Sequence, residues 1–309
     1  MRRISLALLG ATAIGIVISQ GALAADILRK APPPAPVPPP IQDWSGIYVG
    51  LEGGYGWGKQ NFSNFDPFFA SKEQINFCGI GEGCVDAGIG SVSQSGWLAG
   101  GHVGAQKQWG SWVLGIEADF DAADIKGSQT ATATPVTEHL CCGATSTVNQ
   151  SHTRNTKIDE LGTVRGKVGW AWSPNWMIYG TGGMAWAHVK DDFSASQNEC
   201  FNPSGGSSIC FPTFAFTPTS DIGTVGGSAG TSMFGWVVGA GLDYKWQLDQ
   251  NSAVIFGVEY LHCQFAEHSF TFSSVPISFG GFPFTPVSSN TSQTIDAIKG
   301  RISYLFSIH

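Results

Sequence analysis

The sequence predicts an all-β fold: an eight-stranded antiparallel up-and-down transmembrane β-barrel with short periplasmic turns and four long external loops. Three observations lead there. Segments of 13 to 18 residues alternate apolar with polar side chains, the connections between them alternate strictly between very short and very long, and tryptophans gather at the segment ends. Composition agrees. Forty-one glycines and 12% aromatic residues against 13% charged ones disfavour long helices, and a mean hydropathy of +0.04 is far from that of a helical membrane protein.

The chain opens on "MRRISLALLGATAIGIVISQGALA": two arginines, an apolar run from Ile4 to Ile18, and Ala22-Leu23-Ala24. That is the layout of a secretory signal peptide, and about 15 apolar residues fall short of the ~20 that span a bilayer as a helix. Cleavage is expected after Ala24. Residues 25–43, "ADILRKAPPPAPVPPPIQD", are expected to form an extended proline-rich periplasmic tether, leaving residues 44–309 for the barrel. Removing Arg2 and Arg3 leaves about 14 basic residues against 23 acidic ones, and no basic patch is interleaved with aromatics. Nucleic acid is therefore not expected as a partner.

Period-2 alternation marks strands near 46–58, 95–109, 112–125, 158–172, 176–193, 232–247, 252–265 and 293–306. The second and third are joined by Gly110-Ser111, the fourth and fifth by Ser173-Pro174-Asn175, and the sixth and seventh by Leu248 to Asn251. The other connections, near 61–94, 126–157, 194–231 and 266–292, are long and rich in Ser, Thr, Asn and Gly. In the second strand Trp97, Ala99, Val103 and Ala105 alternate with His102, Gly104, Gln106 and Gln108. In the sixth, Trp236, Val238, Ala240, Leu242 and Tyr244 alternate with Gly239, Gly241, Asp243 and Lys245. The fifth, "WMIYGTGGMAWAHVK", is too glycine-rich for its faces to be assigned. Trp57, Trp97, Trp109, Trp112, Trp170, Trp172, Trp176, Trp186, Trp236 and Trp246 all lie in or beside strand ends, as two interfacial girdles require.

With strands and order in place, "AADILRKAPPP", "WSGIYVGLEGGYGWG", "YGTGGMAWAHV", "FGVEYLH" and "GRISYLF" together resemble the small outer-membrane β-barrel surface proteins of alphaproteobacteria, a porin-like, opacity-type family. The resemblance implies residence in the outer membrane of a Gram-negative bacterium, in contact with lipid and lipopolysaccharide, as a monomer inserted by the barrel-assembly machinery through its last strand. Such proteins usually end on an aromatic residue. This chain adds Ser307-Ile308-His309 after Phe306.

Candidate chemistry concentrates on the inward face. Glu52, His102, Glu117, Asp119, Asp243, Lys245 and Glu259, with Arg165, Lys167, Lys299 and Arg301, are expected to form a lumen charge network, since unpaired charges in a narrow interior cost several kcal/mol each. Asp121 is expected highest, at the external rim, where it would still meet a ligand. Architecturally similar lipid A deacylases use His-x-Ser, which no histidine here supplies. No catalytic residues, cofactor or metal are therefore expected. The function expected is structural and surface-displaying, through external loops that meet an extracellular partner, with a small diffusion channel or a haem-binding receptor as alternatives.

Cys78, Cys84, Cys141, Cys142, Cys200, Cys210 and Cys263 fall in the long connections or at the outer end of the seventh strand. After passage through an oxidising periplasm, Cys78 with Cys84 and Cys200 with Cys210 would each staple a loop. Cys263 would pair with Cys141 or Cys142, leaving one thiol over. Some members of the resembled family are implicated in haem binding, which singles out His139, His152, His262 and His268 as axial ligands on the outer side.

Overall fold

The structure, a computed structural model, describes residues 43–63, 89–132, 136–139, 145–202, 209–212, 224–272, 278–279, 282–283 and 287–307. The leader, nearly all of the tether, and Cys78, Cys84, Cys141 and Cys142 lie outside the described residues.

Among the described residues there are twelve strands: β1 (Gly46–Ser63), β2 (Ser91–Trp109), β3 (Trp112–Thr132), β4 (Val136–His139), β5 (Thr145–Ala171), β6 (Trp176–Asn202), β7 (Ile209–Pro212), β8 (Thr224–Gln247), β9 (Ser252–Phe272), β10 (Ser278–Phe279), β11 (Phe282–Pro283) and β12 (Val287–Ser307). Eight of them, β1, β2, β3, β5, β6, β8, β9 and β12, each pair antiparallel with their neighbours, and β1 pairs with both β2 and β12, so the sheet closes on itself. Closure leaves no unpaired edge within the ring, the condition for placing a sheet in lipid.

The register fixes the barrel's shape. Following paired residues around the ring from Val49 leads through Val103, Ala118, Val164, Met184, Trp236, Gln264 and Thr294 back to β1 at Lys59, ten residues from the start. A ten-residue stagger over eight strands, at ~3.3 Å per residue and ~4.8 Å between strands, inclines the strands by about 40° and gives a radius of about 8 Å. Side chains alone fill a tube of that width.

The strands run longer than their sequence pattern indicates. The upper ends reach Ser63, Thr132, Asn202 and Phe272 rather than 58, 125, 193 and 265. Above the membrane both faces of a strand meet polar surroundings, so the alternation that marks a strand fades while the hydrogen-bond ladder continues. Bulges at Ala122/Ile125, Ile158/Glu160 and Thr291/Gln293 also break the period there.

Tight turns close the periplasmic side. Gly110 adopts φ 62° between Trp109 and Trp112, a left-handed conformation that glycine takes without strain.

The outer face carries the belts. With the rise and tilt above, each register row climbs about 3 Å per strand, which sets Trp57, Trp97, Trp186 and Trp236 within about 5 Å of one level. Trp109, Trp112, Trp170, Trp172, Trp176 and Trp246 fall about 25 Å below, the height of a lipid-facing band. Between them Val49, Leu51, Leu114, Ile116, Phe120, Val164, Val168, Ile178, Met184, Val238, Leu242 and Ile302 are exposed. Trp186 lies flat over Gly162, where a Cβ would meet its ring at 2.1 Å.

Candidate functional site

Inside the barrel the side chains lie in layers. The lowest is apolar: Trp44, Tyr48, Val113, Ala171, Met177, Tyr179, Ala253, Ile255 and Leu305 form a buried cluster at the periplasmic end. Trp44 closes it. Its backbone N–H donates to the Gln108 side-chain oxygen (2.8 Å), its carbonyl accepts from the Gln106 amide (2.8 Å), and the Lys245 ammonium sits 4.8 Å from the ring centroid while donating to the Asp43 carbonyl (2.8 Å). Trp44 precedes the first strand and its period, so alternation gave no sign of this role.

About midway between the belts lies the charged layer. Arg165 donates to Glu117 (2.6 Å) and Asp119 (2.7 Å) from one terminal nitrogen and pairs with Glu259 (2.9 Å) through the other. Arg301 pairs with Glu117 (2.5 Å), Glu52 (3.3 Å) and Glu259 (3.4 Å) and reaches the Tyr179 hydroxyl (3.1 Å). Lys299 pairs with Glu52 (2.7 Å), Asp121 and, at 3.6 Å, Asp119. His102 bridges Glu52 (3.0 Å) and the Ser303 hydroxyl (2.7 Å). Lys167 pairs with Asp243 (2.8 Å) over the Tyr179 ring, 3.8 Å from its centroid. Tyr48 and Thr163 donate to Glu117 (2.7 Å) and Asp119 (2.6 Å). All these charges are buried. Tyr48 crosses the lumen over Gly104, which has no side chain to block it.

Ten of the eleven residues expected in the charge network share this layer, and Lys245 does not. It lies lower, on Asp43 and Trp44, because it is two residues nearer the periplasmic turn than Asp243. Asp121 departs the other way. It is fully buried and paired with Lys299 rather than placed at the rim, since β3 continues eleven residues beyond it to Thr132. The oxygens of Glu52, Asp119 and Asp121 lie within 4.8 Å of one another, the spacing of a cation site, and the Lys299 ammonium fills it.

Above the charges a second apolar cluster includes Leu98, Ile125, Ile158, Leu161, Val189, Phe193, Met233, Leu261, Cys263, Phe265, Phe270 and Ile295. Cys263 belongs to it: the thiol is free and buried inside the barrel. Its expected place at the outer end of a strand is corrected by β9 running nine residues further, to Phe272, and among the described residues it has no disulfide partner. Cys200 and Cys210 are directly opposed in the β6–β7 pairing. Higher still, Arg154 pairs with Asp191 and packs over the Phe62 ring (3.6 Å to the centroid), and the Gln94 amide donates to Gln60 (3.2 Å) and Gln293 (2.9 Å).

Of the histidines singled out for haem, the three whose side chains are described do not meet. His152 is buried within the barrel on β5, whereas His262 and His268 face outward on β9, which β6 and β8 separate from β5. His268 contacts Thr231 (3.0 Å). His262 and the Tyr260 hydroxyl share Asp296 (2.8 and 2.5 Å) beside Trp236. The side chain of His139 lies outside the described residues.

A ring of eight staggered strands, belted outside and filled inside, is matched by a family model. The model described as "Outer membrane protein beta-barrel domain" covers residues 23–281. The chain belongs to this family. Among curated relatives of this outer-membrane β-barrel protein, the 31 kDa outer-membrane immunogenic protein of Brucella melitensis is 30% identical over 191 residues, 59% of the chain. The chain spans 66% of that relative's length. The 25 kDa outer-membrane immunogenic protein of Brucella canis is 25% identical over 263 residues, 84% of each chain. Both place the barrel among small outer-membrane proteins of alphaproteobacteria, and hence in the Gram-negative outer membrane. Solved structures similar to it include OprG of Pseudomonas aeruginosa (12% identity, TM-score 0.33, covering 87% of this chain and 100% of that one) and Ail of Yersinia pestis (12%, 0.24, 83% and 99%).

Proposed function

We propose that this barrel is a non-enzymatic structural and surface-display protein, a monomeric peg that holds four external connections over the outer membrane and contributes to envelope integrity. The observation that carries the reading is the layered lumen: paired charges near mid-height, closed below by Trp44 and its cluster and above by a second apolar cluster. Water and ions have no polar path through two apolar layers. The immunogenic character in the Brucella relatives' names supports an exposed outer surface. Cleavage after Ala24 and insertion through the last strand by the assembly machinery complete the proposal. A disulfide between Cys200 and Cys210, opposed across β6 and β7, would staple the third external connection.

Planar-bilayer recording of the purified, refolded protein tests the reading. No unitary current is expected. Stable conductance steps from the unmodified barrel would establish a diffusion channel instead.

A further inference from the structure

Three lysines stand side by side on the outer wall. Lys126 of β3 is directly opposite Lys157 of β5, and Lys157 is directly opposite Lys190 of β6. The residues next to them, Ile125, Ile158 and Val189, are buried inward, so all three ammoniums face out. Their side chains are 65%, 46% and 53% exposed.

Like charges directly opposite on neighbouring strands destabilise a sheet. Two carboxylates offset the repulsion from below. Asp124 binds Lys126 (2.9 Å) and Lys157 (3.0 Å) on its two oxygens, and Asp159 binds Lys190 (2.6 Å). Each ammonium has three protons, and one such bond leaves two for another acceptor. Glu160, Asp192 and His188 are the other titratable groups close to the row that are not buried in the lumen. By the register, Lys126, Lys157 and Lys190 lie roughly 6, 9 and 12 Å above the outer tryptophan belt, with both carboxylates on the membrane side of them. That level belongs to the headgroups of the outer leaflet.

We infer that the Lys126–Lys157–Lys190 row is a docking site for the phosphate groups of an outer-leaflet phosphorylated glycolipid. Opposed strand positions are about 5 Å apart, so the three ammoniums span about 10 Å, enough to grip one phosphate or two neighbouring ones. Asp124 and Asp159 act as positioning residues: they hold the long side chains upright, which reduces the ordering needed when a phosphate arrives. The row is confined to one side of the barrel, so the bound lipid would mark one flank of it.

The test uses the full-length mature protein in detergent, titrated with bisphosphorylated lipid A, with dephosphorylated lipid A, and with inorganic phosphate. The variant is Lys126→Gln/Lys157→Gln/Lys190→Gln; its Arg counterpart keeps the charges, and Lys59→Gln/Lys107→Gln is the control for outward lysines elsewhere. With roughly a fivefold contribution from each lysine at an anionic surface, the triple Gln variant should bind bisphosphorylated lipid A about a hundredfold more weakly. The Arg variant and the control should bind like the parent, and inorganic phosphate should bind far more weakly than the lipid. Equal affinity of the Gln variant, or equal affinity for dephosphorylated lipid, overturns the inference. Inorganic phosphate binding as tightly as the lipid would also overturn it, in favour of a soluble anion site. Heat-modifiable migration on a gel verifies that each variant is folded.

Discussion

Replacing Arg165 with Met removes the cation that Glu117, Asp119 and Glu259 share at 2.6, 2.7 and 2.9 Å in the centre of the lumen. The volume is nearly kept, so packing changes little. The charge balance changes greatly. Arg301 and Lys299 remain in reach of the three carboxylates but are already committed to Glu52 and Asp121 as well. Removing one partner of a buried pair costs about 3–5 kcal/mol, and full burial on both sides means no solvent screening reduces it. A loss of about 4 kcal/mol lowers the folded-to-unfolded ratio roughly a thousandfold. At a urea dependence of about 2 kcal/mol per molar, the unfolding midpoint in lipid vesicles should fall by about 2 M. Adding Glu259→Gln to Arg165→Met removes one stranded carboxylate and should recover part of the loss, a coupling that two independent sites would not show. A midpoint for Arg165→Met within about 0.3 M of the parent would refute the idea that this network holds the barrel together.

Further outcomes follow from other layers. Gly162→Val pushes a side chain into the Trp186 ring and should cost about 1–3 kcal/mol while red-shifting tryptophan emission, measured during refolding into vesicles. Trp44→Ala empties the periplasmic plug and should cost about 3–5 kcal/mol by urea titration. In a variant whose other six cysteines are Ser, Cys263 should resist maleimide in the folded barrel and react fully once it is denatured. In the periplasmic turn the Ser252 hydroxyl, then the Asn251 amide, hold the Asp249 carboxyl below its ordinary value of 3.8. A depressed carboxyl stabilises the fold above its unfolded value and loses that contribution as pH falls through the folded one. The destabilisation caused by Asp249→Ala should therefore be full at pH 6 and fade as the pH falls below about 4.

Strand number, the three short turns and the two tryptophan belts were legible in the sequence because each is local: a period, a turn residue, an aromatic at a strand end. The stagger of ten was not, since it is a property of eight pairings and no single strand contains it. Alternation alone assigned eleven charged or titratable residues to the lumen, ten of which share the charged layer. Height within the lumen was harder to read. Asp121 and Cys263 both read as rim residues because the strands carrying them pass into polar surroundings where Ser, Thr and Asn occupy both faces, and a strand there resembles a loop. The faces of β6 were obscure for a different reason. Its inward residues Met177, Tyr179, Ala185, Ala187 and Val189 serve the two apolar layers, so both faces of that strand carry apolar side chains. The lysine row shows the same limit: Lys126, Lys157 and Lys190 are over thirty residues apart and meet only through register.

The two tryptophan belts also constrain the membrane around the protein. Their separation of about 25 Å is set by ten residues of β6 between Trp176 and Trp186 and by ten of β8 between Trp236 and Trp246, in a hydrogen-bonded wall that cannot shorten or stretch. A typical phospholipid bilayer has a hydrocarbon core of about 30 Å, whereas the bacterial outer membrane is thinner. In its own membrane the barrel fits without deformation. In a thicker bilayer the lipid is the softer partner and must thin around the barrel, a mismatch that favours clustering with other short-walled barrels and retention in the thinner membrane.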